Sequence, residues 1–118
     1  MKLNEYTIEI NVDYDEGLER RYLLIKTIED KITVGANLQR AEIVMNTRIF
    51  WDGFDSYEEY YGYYCSSNFD IVTKEEFDTM ERCFDGYNEN TFESYLREKY
   101  GYETKLLREC CDFKVTIN

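Results

Sequence analysis

Apolar and polar residues alternate strictly over residues 6–14, and this pattern restricts the fold more than any other feature of the sequence. A period of two predicts a half-buried β-strand. Residues 15–17 follow with turn chemistry, because Gly17 can adopt a positive φ. Residues 22–28 are rich in β-forming side chains, although some of their apolar positions also fit a helical spacing. We interpret them as the partner strand of a hairpin.

The following segment also favours strands. Residues 29–31 predict a second turn, and Ile32, Thr33 and Val34 come directly after it. Residues 38–51 hold several β-branched and aromatic side chains, which favour strands over a helix. We therefore predict an antiparallel sheet with short connections over residues 1–51.

Helical patterns begin beyond Asp52. Ser56 and Glu59 have the spacing of a capping box, and tyrosines follow at helical intervals. Thr73 and Glu76 form a second capping-box pattern. It leads into an apolar stripe that should face the sheet, formed by Phe77, Met80 and Phe84 and ended by Gly86. A third helix is predicted from Asn90 to Gly101.

The C-terminal residues alternate again and predict a closing strand over 102–118, with Cys111, Phe113, Val115 and Ile117 on one face. A chain of 118 residues suits one domain. The predicted class is α+β, with a sheet-forming part (1–51), an acidic helical layer of two or three short helices (52–101) and the closing strand.

Negative charge is concentrated in the predicted helical layer. The whole chain has a net charge of −11, and residues 52–98 account for −10 of it, with 13 acidic and 3 basic side chains. Seven of the twelve tyrosines lie in the same segment. Carboxylates three to four residues apart on a helix are separated by roughly 5–6 Å along its axis, which is comparable to the spacing of backbone phosphates.

The outward side of the second predicted helix should carry Glu75, Asp78, Arg82 and Asp85. Acidic residues on such faces are most often simply solvated. In this segment, however, so many acidic side chains lie close together that they repel one another and destabilise the fold. A strongly basic partner would offset this repulsion. The candidate partner-binding residues are Asp55, Glu58, Glu59, Glu75, Glu76, Asp78, Glu81, Asp85 and Glu89, with Tyr60 and Tyr61 as anchors.

The sequence argues against an enzyme and against a bound cofactor. It contains no histidine, and its six glycines form no phosphate-binding loop. Residues 11–22 resemble a calcium loop superficially, but Glu16 and Tyr22 stand where glycine and glutamate are needed. The four cysteines, Cys65, Cys83, Cys110 and Cys111, lack zinc-site spacing, and we expect free thiols in a reducing cytoplasm.

The charge also restricts the partners. A net charge of −11 is unsuited to direct contact with nucleic acid or an anionic membrane. We find no signal-peptide pattern and no run of apolar residues long enough for a membrane span, and we predict a cytoplasmic protein. A strand edge in the first half could pair across a homodimer.

The small size, the many carboxylates and the absence of histidine together resemble acidic inhibitors encoded by phages and mobile elements. The resemblance is to DNA mimics and, among these, to anti-CRISPR proteins. It implies an inhibitor that occupies the basic nucleic-acid groove of a bacterial nuclease such as a CRISPR effector. Two alternatives remain open: an immunity protein that neutralises a basic nuclease toxin, and an acidic structural or assembly protein.

Overall fold

The computed structural model describes residues 2–14, 17–64, 71–86, 88–107 and 116–117. Its sheet begins with the hairpin of β1 (Asn4–Tyr14) and β2 (Gly17–Thr27), in which Tyr6 pairs with Ile25 and Tyr14 with Gly17. The predicted hairpin is therefore present, and β2 begins earlier than expected. Residues 15–16 of the predicted turn lie outside the described residues.

Two further strands complete a sheet of order β3-β2-β1-β4. β3 (Glu103–Leu107) pairs antiparallel with β2, whereas β4 (Thr116–Ile117) pairs parallel with β1. The predicted closing strand thus corresponds to two short strands on opposite edges. Cys111, Phe113 and Val115 lie outside the described residues.

The prediction of strands over residues 32–51 is wrong, because this segment forms the long helix α1 (Lys31–Trp51). Asp30 caps it, since its carboxylate accepts a hydrogen bond from Thr33 N. Buried side chains then recur along one side of the helix, at Val34, Leu38, Ala41, Val44 and Trp51. This spacing of three, four or seven residues places them all against the core, where their burial outweighs the β-propensity of the valines and isoleucines.

Three shorter helices follow: α2 (Tyr57–Tyr64), α3 (Lys74–Cys83) and α4 (Glu89–Tyr100). The capping box of Thr73 and Glu76 is present at α3 as predicted. α4 begins at the cap Asn88 and ends at Gly101, whose φ of 71° explains the need for glycine there. The α+β class is confirmed, with one long helix in addition to the short ones.

A continuous hydrophobic cluster joins one face of the sheet to the helices. Its buried members include Ile8 and Leu23 from the sheet, Val44 from α1 and Leu96 from α4. α3 packs mainly on α1 and α4. The ring of its Phe77 lies 4.7 Å from that of Trp51, so the apolar stripe of α3 faces the other helices. The prediction that this stripe faces the sheet is therefore wrong.

Among the described residues, no helix combines the length and the apolar character needed to cross a membrane.

Candidate partner-binding surface

The predicted surface residues separate into exposed and buried groups. Six carboxylates are exposed, namely Asp55, Glu58, Glu59, Glu75, Glu81 and Asp85, and Asp78 and Glu89 are half-buried. Tyr61 is 48% exposed, as an anchor should be. Tyr60 and Glu76, by contrast, are buried.

Tyr60 cannot serve as an anchor in this fold. Only 1% of it is exposed, and its ring lies 5.7 Å from that of Trp51. Its hydroxyl accepts a hydrogen bond from Val72 N (3.2 Å), while the hydroxyl of Tyr57 donates to Val72 O (2.8 Å). Both backbone groups of one buried residue are therefore satisfied by α2, and Tyr60 attaches this helix to the core.

Glu76, which was predicted to contact the partner, instead has a structural role. Arg40 from α1 donates to it twice, from Nε (2.7 Å) and from Nη2 (2.8 Å). Thr73 N donates to the same carboxylate (2.9 Å), which completes the cap of α3. With its oxygens occupied and its side chain buried, Glu76 offers nothing to a partner.

Other carboxylates of the acidic segment are neutralised by cations from elsewhere in the chain. Arg48 of α1 lies 3.0 Å from Glu81, which also accepts from Trp51 Nε1 (2.7 Å). Lys99 contacts Glu75 at 3.0 Å. Counting charge along the sequence therefore overstates the negative charge of the folded surface, because α1 and the end of α4 supply the missing cations.

Two half-buried acids have contacts of the same kind. Asp78 pairs with Lys74 one turn away, at 3.1 Å. Glu89 lies 3.9 Å from Arg21 of β2, and only 12% of its side chain is exposed. Glu89 therefore links α4 to the sheet, and we omit it from the candidate surface.

Four exposed carboxylates of the predicted set lack such a cation among the described residues. Three of them lie together around α2, and the fourth, Asp85, lies apart from them just after α3. Asp55, Glu58 and Glu59 have no salt-bridge partner within the part of the chain that the structure describes. Glu59 accepts a hydrogen bond from Asp55 N (2.8 Å), which orders the start of the helix. Tyr61 and Tyr63 are exposed beside them, at 48% and 66%. We call these five residues the α2 surface.

Tyr63 was missing from the predicted set, although its position carries a usable signal. Tyr57 and Tyr60 mark the attached side of α2, and Tyr63 lies on the outer part of the helix together with Glu59, four residues earlier. The cations that neutralise α3 could not be identified in this way, because Arg40 and Arg48 belong to a segment that was predicted as strands.

Burial holds the Cys83 thiol and the Tyr95 hydroxyl in their neutral forms. Burial, with a smaller contribution from Glu98, raises the pKa of the Cys83 thiol to about 11. Burial likewise raises the pKa of Tyr95, whose hydroxyl is enclosed in the core. These groups stay protonated at neutral pH, and neither is activated as a nucleophile or a base.

Comparison of the chain with protein-family models, with curated proteins and with solved structures finds no match. The functional interpretation therefore depends on the geometry and charge of the α2 surface.

Proposed function

We propose that this protein is a non-enzymatic inhibitor that binds the basic nucleic-acid groove of a bacterial nuclease. The target class that the sequence resemblance suggests is a CRISPR effector. In this proposal the α2 surface occupies positions where the target would otherwise hold phosphates. The partner is thus a basic protein, and the chain itself contacts no nucleic acid.

The observation that carries the proposal is the difference between the acids of α2 and α3. The α3 acids Glu75, Asp78 and Glu81 each lie within 3.1 Å of a cation from the same chain. The three carboxylates of the α2 surface have no such cation among the described residues, and two exposed tyrosines adjoin them. Uncompensated charge beside exposed aromatic rings is the composition expected of a surface that acquires its cations from a partner.

The α3 carboxylates extend this surface as a weaker row. Exposed Glu75 and Glu81 lie on one helix with Asp78 between them, at intervals of three residues, or about 4.5 Å along the axis. Their intramolecular cations reduce the attraction that they exert. We therefore expect α2 to dominate binding and α3 to contribute mainly long-range attraction.

A capture experiment with matched charge variants tests the proposal. Tagged protein is incubated with bacterial lysate containing CRISPR effectors and other nucleases, at low and high salt, and bound proteins are identified by mass spectrometry. The test variant combines Asp55→Lys, Glu58→Lys and Glu59→Lys. The control combines Glu5→Lys, Glu42→Lys and Glu103→Lys, which are exposed elsewhere and change the net charge equally.

We expect the wild type and the control to retain a nucleic-acid-binding protein that added DNA or high salt displaces, and to inhibit its nuclease activity once it is purified. The α2 variant should lose both properties while remaining folded. Equal capture by both triple variants would show that α2 is not the binding surface. A partner that neither DNA nor salt displaces would contradict the proposal, and a toxin nuclease as partner would assign the protein to the immunity class.

A further inference from the structure

The strand β3 forms an edge of the sheet that is open along its whole length among the described residues. It pairs with β2 on one side, and no described strand lies on its other side. The opposite edge differs, because β4 covers part of β1. An edge strand presents the N–H and C=O groups of alternate residues, which can pair with a further strand. We call the residues Glu103–Leu107 the β3 edge.

The side chains of the β3 edge alternate between the two faces of the sheet. Thr104 faces α4, because its hydroxyl donates to Glu93 Oε2 (3.0 Å), and Leu106 packs against the core. Glu103 and Lys105 are exposed and lie on the opposite face. Neither has a salt-bridge partner within the described ranges of the chain. The β3 edge therefore presents opposite charges two residues apart on one face.

This order of charges favours one register for pairing with a second copy of the chain. When two antiparallel edges are related by a two-fold axis normal to the sheet, the residue at the axis lies opposite its own copy. With Thr104 at the axis, Glu103 of each copy lies opposite Lys105 of the other, with their Cβ atoms roughly 5 Å apart. With Glu103 or Lys105 at the axis, two like charges lie opposite each other, which is unfavourable.

The charge of the neighbouring strand also favours self-association at this edge. A net charge of −11 opposes contact between two copies in general. However, β2 has three basic side chains and one acidic one, and β3 has one of each. The acidic side chains of α2 and α3 lie on other elements. Repulsion between two copies is therefore weaker at this side of the sheet than at the helical layer.

We propose that two copies of this chain associate through the β3 edge, with Thr104 at the two-fold axis and reciprocal Glu103–Lys105 pairs that fix the register. The two four-stranded sheets then form one continuous sheet. This inference goes beyond the proposed function, because it concerns a different surface from the α2 surface. An edge of five residues buries less area than a standard interface, so we expect a dissociation constant on the order of 10 μM.

Sedimentation velocity of the purified full chain tests this assignment. We expect the wild type to change from monomer to dimer between about 1 μM and about 200 μM. Glu103→Lys and Lys105→Glu each place like charges opposite one another twice, and each should weaken dimerisation at least about ten-fold. The controls are Glu42→Lys and Lys31→Glu, which make the same changes of charge at exposed positions of α1 and should leave the dimer intact.

Two rescue measurements test the register and show that the variants are folded. The double variant Glu103→Lys/Lys105→Glu again has opposite charges across the axis and should recover the dissociation constant of the wild type. An equimolar mixture of the two single variants should form a mixed dimer. The reason is that one variant has only basic side chains at these two positions and the other only acidic ones.

A wild type that stays monomeric over the whole concentration range would overturn the inference. Single variants that dimerise as well as their controls would also overturn it, as would a double variant that stays monomeric.

The proposed function fails separately. The control of the capture experiment contains Glu103→Lys, so it should be monomeric and still retain the target through its unchanged α2 surface. If the wild type dimerises through the β3 edge but captures no nucleic-acid-binding protein, only the proposed function is wrong. If the target is captured and DNA displaces it, but the wild type stays monomeric, only the inference is wrong.

Discussion

At the scale of single residues, Glu76 connects three parts of the helical layer through one carboxylate. It binds Arg40 of α1 and caps α3, while Arg40 Nη2 also donates to Ile71 O (2.9 Å). We expect Glu76→Gln to lower the free energy of unfolding by about 2 kcal/mol, because hydrogen bonds to a charged group are lost in a buried site. Urea unfolding followed by Trp51 fluorescence measures this change.

The matched control is Glu75→Gln, one residue earlier. Glu75 also has a cation at 3.0 Å, Lys99, but 74% of its side chain is exposed. The loss should stay below about 1 kcal/mol, because solvent screens exposed ion pairs. Equal losses from both substitutions would mean that the burial of Glu76 adds nothing.

The same carboxyl makes stability depend on pH. Burial raises the pKa of Glu76, but the hydrogen bonds from Arg40 and Thr73 lower it by more, so it lies below the ordinary value of 4.5. A lowered folded-state pKa gives stability that is present above the unfolded pKa and lost as pH falls through the folded pKa. Urea midpoints measured from about pH 7 to about pH 3 should therefore fall more steeply in the wild type than in Glu76→Gln. Parallel curves would contradict this.

At the scale of elements, the N-cap of α3 shows how much a single local hydrogen bond stabilises a helix. Thr73→Ala removes the hydroxyl that accepts from Glu76 N (3.1 Å) and should cost about 1 kcal/mol. Thr47→Ala is the control. Its hydroxyl also makes a backbone hydrogen bond, to Ile43 O (2.7 Å), but within α1, where alanine is the better helix former. Thermal unfolding should separate the two variants, and a similar Tm for both would argue against the cap.

The elements also show how far the sequence determines this fold. The hairpin, the cap of α3 and the helix end at Gly101 follow from local chemistry and could be predicted. α1 could not be predicted from β-propensity, because its helical side includes the buried polar Arg48, which interrupts the apolar pattern. Besides the ion pair with Asp52 one turn away, Arg48 is stabilised by contacts with Glu81 and Phe84, which are distant in sequence and could not be anticipated from it.

The candidate site was partly predictable for a related reason. Exposure of the acids around α2 follows from helical periodicity and the nearby tyrosines. The neutralisation of α3 depends on Arg40, Arg48 and Lys99, two of which belong to the segment with the wrong prediction. Sequence counting identifies acidic residues, whereas the fold decides which of them remain without a cation.

At the scale of the whole molecule, the net charge of −11 opposes folding through self-repulsion. Added NaCl shortens the range of this repulsion, so we expect the Tm to rise between about 0.02 M and about 0.5 M salt. The Asp55→Lys/Glu58→Lys/Glu59→Lys variant, with a net charge of −5, should show a smaller rise. Calorimetric scans of both proteins measure this difference. A Tm that falls with salt would mean that the internal ion pairs outweigh the repulsion.

The hydrogen bonds between α2 and Val72 make it possible to measure how often α2, and with it the α2 surface, detaches from the core. The amide proton of Val72 is donated to the hydroxyl of Tyr60 and is shielded from solvent. Exchange of this amide with deuterium requires α2 to detach from the core. The exchange rate at Val72 therefore reports how often the helix detaches. A partner that binds α2 in its attached position should slow the exchange at Val72, without any label on the surface itself.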